Sequence, residues 1–360
     1  MSAESIVVGV MYGHQWDMRP REALARDFEM LAAIDPRIEI LDVEYREPHD
    51  LSTARGKVPL DESLRDKAPA LTDEQRAAFA RVDIVVASDL PFDVATIAPR
   101  LRFVQGMGAG VSQLESAGLA EAGIRLTSAA GINAVGIAEF VVGRILQHLK
   151  RFRELDTFQG DHNWTLGNGV GTEFAGSTVG LIGLGAINSA VAQRLHLFDV
   201  KILATRRRWS PGETAPYVDE VLPSDALLDM LPRCDFVVAA VPEAPDTHDV
   251  MNAAAFAAMK PGSYFCNVGR GSFVVEGALA DALRSGHLSA AALDVARQEP
   301  LPADSPLWDL PNMYFSSHIA TSPGKFFARL HELFRDNVSR YLEGRELVNE
   351  VNMRRQEQKA

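Results

Sequence analysis

The sequence predicts an α/β protein with two doubly wound parallel sheets, each in its own domain. Short β-rich runs alternate with helical patterns along most of the 360 residues, as in parallel sheets covered by helices on both faces. The alternation is interrupted by a long helical pattern over residues 134–155 and a glycine-rich stretch over residues 160–176, after which it resumes. The length accommodates about two or three domains of ordinary size.

The first unit is predicted to contain five strands. They lie at residues 6–12, 38–45, 82–88, 102–107 and 123–129. A helical pattern covers residues 20–33, and Thr72 with Gln75 has the spacing of a capping box that starts a helix towards residue 81. We interpret the polar, charge-rich stretch 46–70 as a long surface excursion with one short helix.

The second unit is predicted to begin with the long helix and to contain six strands. They lie at residues 178–183, 200–205, 235–241, 263–268, 289–295 and 313–316, with helices between them, for example at 252–259 and 276–285. Ser322 and Pro323, a capping residue followed by a first-turn proline, start a last helix that ends near residue 342. Periodicity alone leaves open whether this helix packs on the second unit or returns to the first.

Composition and charge exclude several classes of protein. Hydrophobic residues make up 47% and charged residues 23% of the chain, as in an ordinary folded protein. The net charge of -12 repels phosphate backbones, so we expect no nucleic-acid partner. No apolar run approaches the roughly 20 residues of a membrane helix, and the start MSAESIVVGVMY has no basic segment or cleavage site. With only Cys234 and Cys266 as cysteines, we expect a cytoplasmic protein without membrane contact.

The strongest local motif is the turn between the strand at 178–183 and the helix that follows it. Gly183 permits a tight turn, and Gly185 lets a pyrophosphate approach the backbone. The N–H groups of Ala186 and Ile187 then lie at a helix N-terminus, where anions are stabilised. Asn188 stands where the G-x-G-x-x-G pattern has its third glycine. We predict a dinucleotide site here; an ordinary strand-to-helix turn is the alternative.

The end of the next strand indicates which dinucleotide binds. An acid that accepts from the ribose 2′-hydroxyl is expected about 20 residues after the first glycine. Arg206 stands near that position, between Thr205 and the further arginines Arg207 and Arg208. Because arginine forms bidentate bonds with phosphate, we predict NADP(H) as the preferred cofactor, NAD(H) as the alternative, and contacts from Thr205, Arg206 and Arg207. A solvated basic turn is the competing interpretation.

Three reactive side chains follow three strands of the second unit. Arg270, Glu299 and His318 come after the strands at 263–268, 289–295 and 313–316. We expect them to converge because ligands of open α/β sheets bind at the carboxyl ends of the strands. Hydride delivery to a ketone needs a proton donor and a fixed cation. Here His318 would donate the proton, Glu299 would hold its other nitrogen, and Arg270 would bind the carboxylate and carbonyl of a 2-oxo acid. Taken singly, each could instead be a structural ion pair or an incidental histidine.

Taken together, these motifs resemble the D-isomer-specific 2-hydroxyacid dehydrogenase family. The resemblance covers about residues 101–352. The stretches that carry it are Gly106-Met107-Gly108-Ala109-Gly110-Val111, Ala138-Glu139, residues 178–187, Val241-Pro242 with Thr247, Met259-Lys260-Pro261-Gly262, residues 267–271, Leu293-Asp294-Val295 with Glu299-Pro300, Pro306-Leu307-Trp308 and Ser317-His318-Ile319-Ala320.

The resemblance implies a flavodoxin-like substrate domain over residues 1–133, completed by 319–360, and a Rossmann dinucleotide-binding domain over 134–318. It implies that the last helix returns to the first unit and that the chain forms a homodimer, commonly through the dinucleotide domain. Arg206 resembles the glyoxylate/hydroxypyruvate reductase branch, which leans to NADPH. The implied activity is hydride transfer between NADP(H), or NAD(H), and a small 2-oxo acid or D-2-hydroxy acid, for example reduction of glyoxylate or hydroxypyruvate.

The resemblance also implies roles for single residues. Arg270, Glu299 and His318 align with the family's catalytic residues, and Asp294 would receive the carboxamide of the nicotinamide. The other implied contacts are Val241, Pro242, Thr247 and Val268 with the cofactor, and the N–H groups of Met107, Gly108 and Ala109 with the substrate carboxylate. We assign no metal ligands.

Two rival functions stay open on the sequence. A dinucleotide-sensing regulatory protein on the same fold could keep the Arg, Glu and His set. Oxidation of formate or phosphite is disfavoured because it needs no proton-donating Glu–His pair of this kind. The first hundred residues match only a generic α/β pattern, so the identity of the 2-oxo acid is not predicted.

Overall fold

The computed structural model describes residues 5–58, 61–164, 171–321 and 323–353. The chain divides into two compact units, of which the first comprises Met1–Ile132 with Pro323–Ala360 and the second comprises Asn133–Ser322. Each unit has its own sheet, and every described strand pairing is parallel. The prediction of two doubly wound parallel-sheet units is therefore confirmed.

The first unit holds a five-stranded sheet. Its strands are β1 (Ile6–Val10), β2 (Ile38–Asp42), β3 (Ile84–Ala87), β4 (Phe103–Gly106) and β5 (Arg125–Thr127), in the order β2-β1-β3-β4-β5. This is the flavodoxin-like order. Strands β3 and β4 are buried along their whole length, as expected of parallel strands that are covered on both faces.

Five helices of the first unit follow its strands in chain order. They are α1 (Arg21–Ala32), α2 (His49–Lys57), α3 (Asp73–Phe79), α4 (Val94–Ile97) and α5 (Ser112–Glu115). Helix α3 begins at the predicted capping box: the N–H of Gln75 donates to the Thr72 hydroxyl at 3.1 Å, and the Thr72 N–H donates back to the Gln75 side chain at 2.9 Å.

The interpretation of residues 46–70 as a surface excursion is wrong in part. The stretch holds α2 and a 3-10 helix at Glu62–Lys67, and it contributes Glu47 and Arg55 to the interior as a fully buried ion pair. Arg55 also donates to the Ser116 hydroxyl and the Leu90 carbonyl, both at 2.7 Å. Burial raises the pKa of Glu47 although Arg55 opposes the shift. The high charge content was misleading because opposite charges can be buried when they are paired.

The second unit holds a seven-stranded sheet. Its strands are β6 (Thr178–Ile182), β7 (Lys201–Arg206), β8 (Glu220–Pro223), β9 (Phe236–Ala239), β10 (Ser263–Asn267), β11 (Leu288–Leu293) and β12 (Met313–Phe315), in the order β12-β11-β10-β9-β6-β7-β8. Counted from β6, this is the Rossmann order with one further strand, and the strand order reverses between β6 and β9. The sequence did not predict β8, a short edge strand that ends in proline.

The helices of the second unit are α6 (Ala134–Leu149), α7 (Phe152–Gly160), α8 (Ala186–Leu195), α9 (Leu227–Met230), α10 (Ala253–Ala258) and α11 (Glu276–Arg284). The prediction of one long helix over 134–155 is wrong, because Arg151 adopts a left-handed backbone with φ of 53°. The N–H of Thr172 donates to the Leu149 carbonyl at 2.9 Å. Because this carbonyl is bonded outside the helix, α6 ends there. Part of the predicted glycine-rich loop, residues 165–170, lies outside the described residues.

The last helix, α12 (Pro323–Leu342), packs in the first unit. Arg335 donates to Asp27 of α1 at 3.1 Å, the buried His331 contacts the Tyr12 hydroxyl at 2.6 Å, and Asn337 donates to Gln105 of β4 at 2.9 Å. The predicted cap, Ser322, lies outside the described residues. In the described ranges no helix combines the length and apolar character that crossing a membrane requires.

Candidate active site

The site is built on three neighbouring strand ends. Strands β10, β11 and β12 lie side by side, and their parallel register sets Asn267 beside Leu293 and Leu293 beside Phe315. Neighbouring strands of a sheet are about 4.8 Å apart, so the loops that follow them leave the sheet as close neighbours. Arg270, Glu299 and His318 all belong to these three loops.

Glu299 and His318 form a hydrogen-bonded pair. The Nδ1 atom of His318 lies 2.8 Å from Oε2 of Glu299, and the other carboxylate oxygen accepts from the Ala296 N–H at 3.0 Å. Since the carboxylate only accepts, Nδ1 carries the proton in this bond. Within the described residues Nε2 has no hydrogen-bond partner, and about half of the imidazole is exposed. The ring is therefore oriented with one nitrogen free to exchange a proton with a ligand.

Asp294 fixes the turn that carries His318. His318 has a left-handed backbone with φ of 58°, and its N–H donates to the Asp294 carbonyl at 2.7 Å. The buried Asp294 carboxylate accepts from the Ser316 hydroxyl at 2.6 Å and from the N–H groups of Ile319 and Ala320 at 3.0 and 3.1 Å. These bonds stabilise a left-handed backbone conformation that residues other than glycine rarely adopt. The contact of Asp294 with a nicotinamide carboxamide stays a prediction.

The Arg270 guanidinium makes a local hydrogen bond but no ion pair within the described residues. It donates to the Gly269 carbonyl at 2.8 Å, and no carboxylate of the described residues forms an ion pair with it. Asn267 braces the loop by donating to the Arg270 carbonyl at 2.9 Å and accepting from the Gly269 N–H at 3.0 Å. A Cβ on Gly271 would lie 2.0 Å from the Ala296 backbone. The Arg270 loop thus touches the segment whose N–H binds Glu299.

Other candidate groups are used elsewhere in the fold. His14 forms a second His–carboxylate pair, 2.7 Å from Asp42, but its Nδ1 is buried without a partner, so neither nitrogen is available to a ligand. Burial lowers the pKa of His331 and of His148. Burial also raises the pKa of both Cys234 and Cys266 to about 12, so neither thiol is a nucleophile at neutral pH.

A cavity of about 870 Å³ opens where the order of the second sheet reverses. The predicted cofactor residues that line it are Gly183, Gly185, Thr205, Arg206, Arg207, Val241, Pro242 and Thr247. Gly183 has a φ of 83°, and a Cβ there would lie 2.6 Å from Val241. Among the described residues the N–H groups of Gly185, Ala186 and Ile187 have no acceptor. A cavity of this size with free N–H groups at a helix N-terminus fits a dinucleotide pyrophosphate.

Four predicted cofactor residues lie outside the lining of this cavity. Ala186 and Ile187 directly follow the lining residue Gly185 and are predicted to bind through their N–H groups; the other two are Val268 and Asp294. Val268 is buried in the core, and its N–H donates to the Ala239 carbonyl at 3.0 Å. Asp294 lies at the His318 turn, three strands away from β6 in the sheet order. The structure does not bring either side chain to the cavity.

Asn188 takes over the structural task of the missing third glycine. It is fully buried, and its amide nitrogen donates to the carbonyls of Ile182 and Gly183 at 3.0 and 2.8 Å. The same nitrogen lies 3.4 Å from the Val238 carbonyl of β9. The start of α8 is therefore tied to the ends of β6 and β9 by hydrogen bonds instead of by close backbone contact.

Arg206 is not the free cation that the sequence suggested. Its guanidinium forms an ion pair with Glu213 and donates to the Leu184 carbonyl at 3.3 Å. Thr205 supports the same turn, because its hydroxyl accepts from the Gly183 N–H at 3.3 Å. Sequence reasoning missed Glu213, which stands seven residues beyond Arg206 in a loop whose path no motif predicts.

The predicted carboxylate-binding N–H groups lie in the first unit, after β4. The N–H of Met107 donates to the Ala87 carbonyl at 3.2 Å, so this group is already used in the fold. The N–H groups of Gly108 and Ala109 have no acceptor within the described part of the chain. An anion site at this loop would therefore rest on Gly108 and Ala109 rather than on all three residues.

Comparisons with known proteins agree with the geometry. Residues 142–320 match the family model described as "D-isomer specific 2-hydroxyacid dehydrogenase, NAD binding domain". The chain is 32% identical over 315 residues to a glyoxylate reductase of Thermofilum pendens, covering 85% of this chain and 87% of that protein. It is also 32% identical to a D-3-phosphoglycerate dehydrogenase of Mycobacterium tuberculosis, covering 80% of this chain and 53% of that protein. This chain thus spans about half the length of the phosphoglycerate dehydrogenases that it matches.

A solved structure resembles the whole chain. It is an NADPH-dependent glyoxylate/hydroxypyruvate reductase from Sinorhizobium meliloti in complex with NADP and sulfate. The TM-score is 0.70 and the sequence identity is 25%, with 98% of this chain and 99% of that chain covered. The resemblance that the motifs indicated is confirmed by these matches.

The Asp294 bonds predict a loss of stability on substitution. Asp294→Ala leaves two N–H groups and one hydroxyl without their acceptor, at about 1–3 kcal/mol for each buried group left unpaired. We expect the free energy of unfolding to fall by about 2–5 kcal/mol in urea titrations. Ser316→Ala, the matched control, removes one of these donors and should cost about 1 kcal/mol. Equal stability of the two variants would contradict the role of Asp294.

Proposed function

The chain belongs to the D-isomer-specific 2-hydroxyacid dehydrogenase family, and from this premise we propose that it reduces small 2-oxo acids to D-2-hydroxy acids with NADP(H), or with NAD(H). The relatives named glyoxylate reductase and glyoxylate/hydroxypyruvate reductase support glyoxylate and hydroxypyruvate as substrates. The second unit is the dinucleotide-binding domain of this proposal, and the first unit is its substrate domain.

One observation carries the proposal: an unpaired guanidinium and an oriented imidazole follow β10 and β12, the two strands that flank β11. Arg270 has no carboxylate partner among the described residues, whereas His318 is held by Glu299 at 2.8 Å. A 2-oxo acid carries a carboxylate that needs a cation and a carbonyl that needs a proton on reduction. The two groups therefore match the two polar ends of this substrate class.

The cavity beside β6 would hold the cofactor. The N–H groups of Gly185, Ala186 and Ile187 would bind the pyrophosphate, and Val241, Pro242 and Thr247 would contact the rest of the molecule. When bound, the nicotinamide supplies the hydride for reduction and receives it in the reverse direction. Arg206 and Arg207 line the same cavity and would be contacts for a 2′-phosphate.

His318 moves the proton in this mechanism. In the reducing direction the imidazolium transfers the Nε2 proton to the carbonyl oxygen. The Nδ1 proton stays on the ring and remains hydrogen-bonded to Glu299. The Glu299 carboxylate stabilises the charged imidazolium before transfer and keeps the correct nitrogen towards the ligand. Arg270 binds the substrate carboxylate and polarises the carbonyl, so negative charge on the oxygen is stabilised as it develops. The N–H groups of Gly108 and Ala109 stay predicted carboxylate contacts.

The test of the function is turnover. The protein should consume NADPH in the presence of glyoxylate or hydroxypyruvate, and His318→Ala should lower kcat by at least about 100-fold because the proton donor is lost. Binding of NADPH, followed by fluorescence, should change little in this variant. The matched control is His196→Ala, an exposed histidine of the same unit that contacts Tyr217.

Two results would count against the proposal. Near-normal turnover by His318→Ala would remove His318 from the mechanism. Tight NADPH binding without turnover of any 2-oxo acid in a broad panel would favour a dinucleotide-sensing protein instead, because one fold can carry unrelated functions.

A homodimer in the cytoplasm completes the proposal. Helix α7 buries none of its residues within the chain, and Phe152, Leu155 and Trp164 are 45%, 40% and 89% exposed. Exposed large apolar side chains, two on this helix and one shortly after it, are typical of an interface. Cys234 and Cys266 are free thiols, which suits a reducing compartment.

Light scattering should give about twice the chain mass of 39.3 kDa. A monomer would contradict the dimer. Fractionation of the producing cells tests the compartment.

A further inference from the structure

The arginine-rich end of the cavity is close to neutral. Arg206, Arg207 and Arg208 line it together with Asp225 and Asp246. Arg207 lies 3.9 Å from Asp246, with both side chains exposed. Arg206 is paired with Glu213, so three guanidinium groups are balanced by three carboxylates. The run of three arginines therefore gives much less net positive charge than the sequence alone suggests.

Glu213 is held in place on Arg206 by its own loop. The N–H of Glu213 donates to the Ser210 carbonyl at 3.0 Å, which closes a turn. The Ser210 N–H in turn donates to one oxygen of the Glu213 carboxylate at 3.2 Å, while the other oxygen binds Arg206. The indole of Trp209 anchors the start of the loop by donating to the Val221 carbonyl of β8 at 2.9 Å.

The two ion pairs differ in their exposure to solvent, and therefore in strength. The Glu213 side chain is 18% exposed and that of Arg206 is 37% exposed, whereas the side chains of Arg207 and Asp246 are 64% and 59% exposed. Solvent screens exposed pairs strongly, so the Arg206–Glu213 pair is the one that a competing anion must disrupt. A phosphate that reaches Arg206 would meet the Glu213 carboxylate on the same guanidinium.

We infer that Glu213 is a specificity-determining residue that weakens binding of the 2′-phosphate of NADP(H) relative to the 2′-hydroxyl of NAD(H). The inference rests on the proposed function. Glu213 neutralises Arg206 and adds a negative charge beside the position of the 2′-substituent, which opposes a phosphate. A 2′-hydroxyl can donate to the same carboxylate, as it does to the acid of NAD-binding sites. The chain thus supplies that acid from a loop instead of from the end of β7.

Binding of nucleotide fragments tests this inference without turnover. Calorimetry on the full chain compares adenosine 2′,5′-bisphosphate with adenosine 5′-monophosphate, which differ only in the 2′-phosphate. Glu213→Gln should tighten binding of the bisphosphate about tenfold, the scale of one charge-assisted hydrogen bond. Binding of the monophosphate should tighten by less than about twofold or weaken, because that ligand makes no ionic contact with Arg206. Glu213→Ala should give the same direction.

Two control variants isolate the charge on Arg206. Glu220→Gln removes an equal charge from the same unit and breaks a comparable ion pair, in which Arg233 donates to Glu220 at 3.1 Å outside the cavity lining. It should leave both dissociation constants unchanged. Adding Arg206→Ala to Glu213→Gln should abolish the gain for the bisphosphate, because the freed guanidinium is then missing.

The outcomes against the inference are distinct from failure of the proposed function. Unchanged or weaker binding of the bisphosphate by folded Glu213→Gln would overturn the inference, because Glu213 would then be neutral or would position Arg206 for phosphate. An equal gain for both nucleotides would overturn it as well. Absence of binding of either nucleotide to the folded unsubstituted chain would overturn the inference together with the dinucleotide site itself.

Discussion

Parallel pairing of β10, β11 and β12 is the constraint on which the candidate site depends. Because the three strands run side by side in the same direction, their following loops emerge at one edge of the sheet. Asp294 then fixes the turn at His318, Asn267 braces the turn at Arg270, and Glu299 joins the middle loop to the last one. The polar groups are therefore positioned by strand register and by hydrogen bonds between the loops that follow the strands.

The proposed cofactor site, which follows β6 in the same sheet, depends on different interactions. Gly183 and the free N–H groups after it would form the proposed anion site through backbone alone, so most side chains could vary there. Asn188 shows this freedom, because its amide replaces a close backbone contact by hydrogen bonds. In our inference, discrimination at the ribose depends instead on side-chain charge. Glu213 neutralises the charge of Arg206 without any change in β7, the strand that carries this arginine.

Sequence reasoning predicted the features that depend on local pattern and strand order. The two parallel sheets and the position of His318 at a strand end follow from alternation and from residues next to strand termini. The break at Arg151 was missed because a contact with Thr172 ends α6, and helical periodicity carries no information about that partner. The burial of Arg55 and the pairing of Glu213 were missed for the same reason: an ion pair between a loop residue and a residue of a helix or strand depends on the folded path of the loop.

The central claim is that Glu299 and His318 act as one proton-transfer unit on a 2-oxo acid. The most direct measurement is a double-mutant cycle in kcat, with Glu299→Gln, His318→Gln and both together. If Glu299 works only through His318, the double variant should be no slower than His318→Gln alone, so that the coupling equals the whole effect of Glu299, about tenfold or more. Losses that multiply in the double variant would contradict the account, since the two side chains would then act independently.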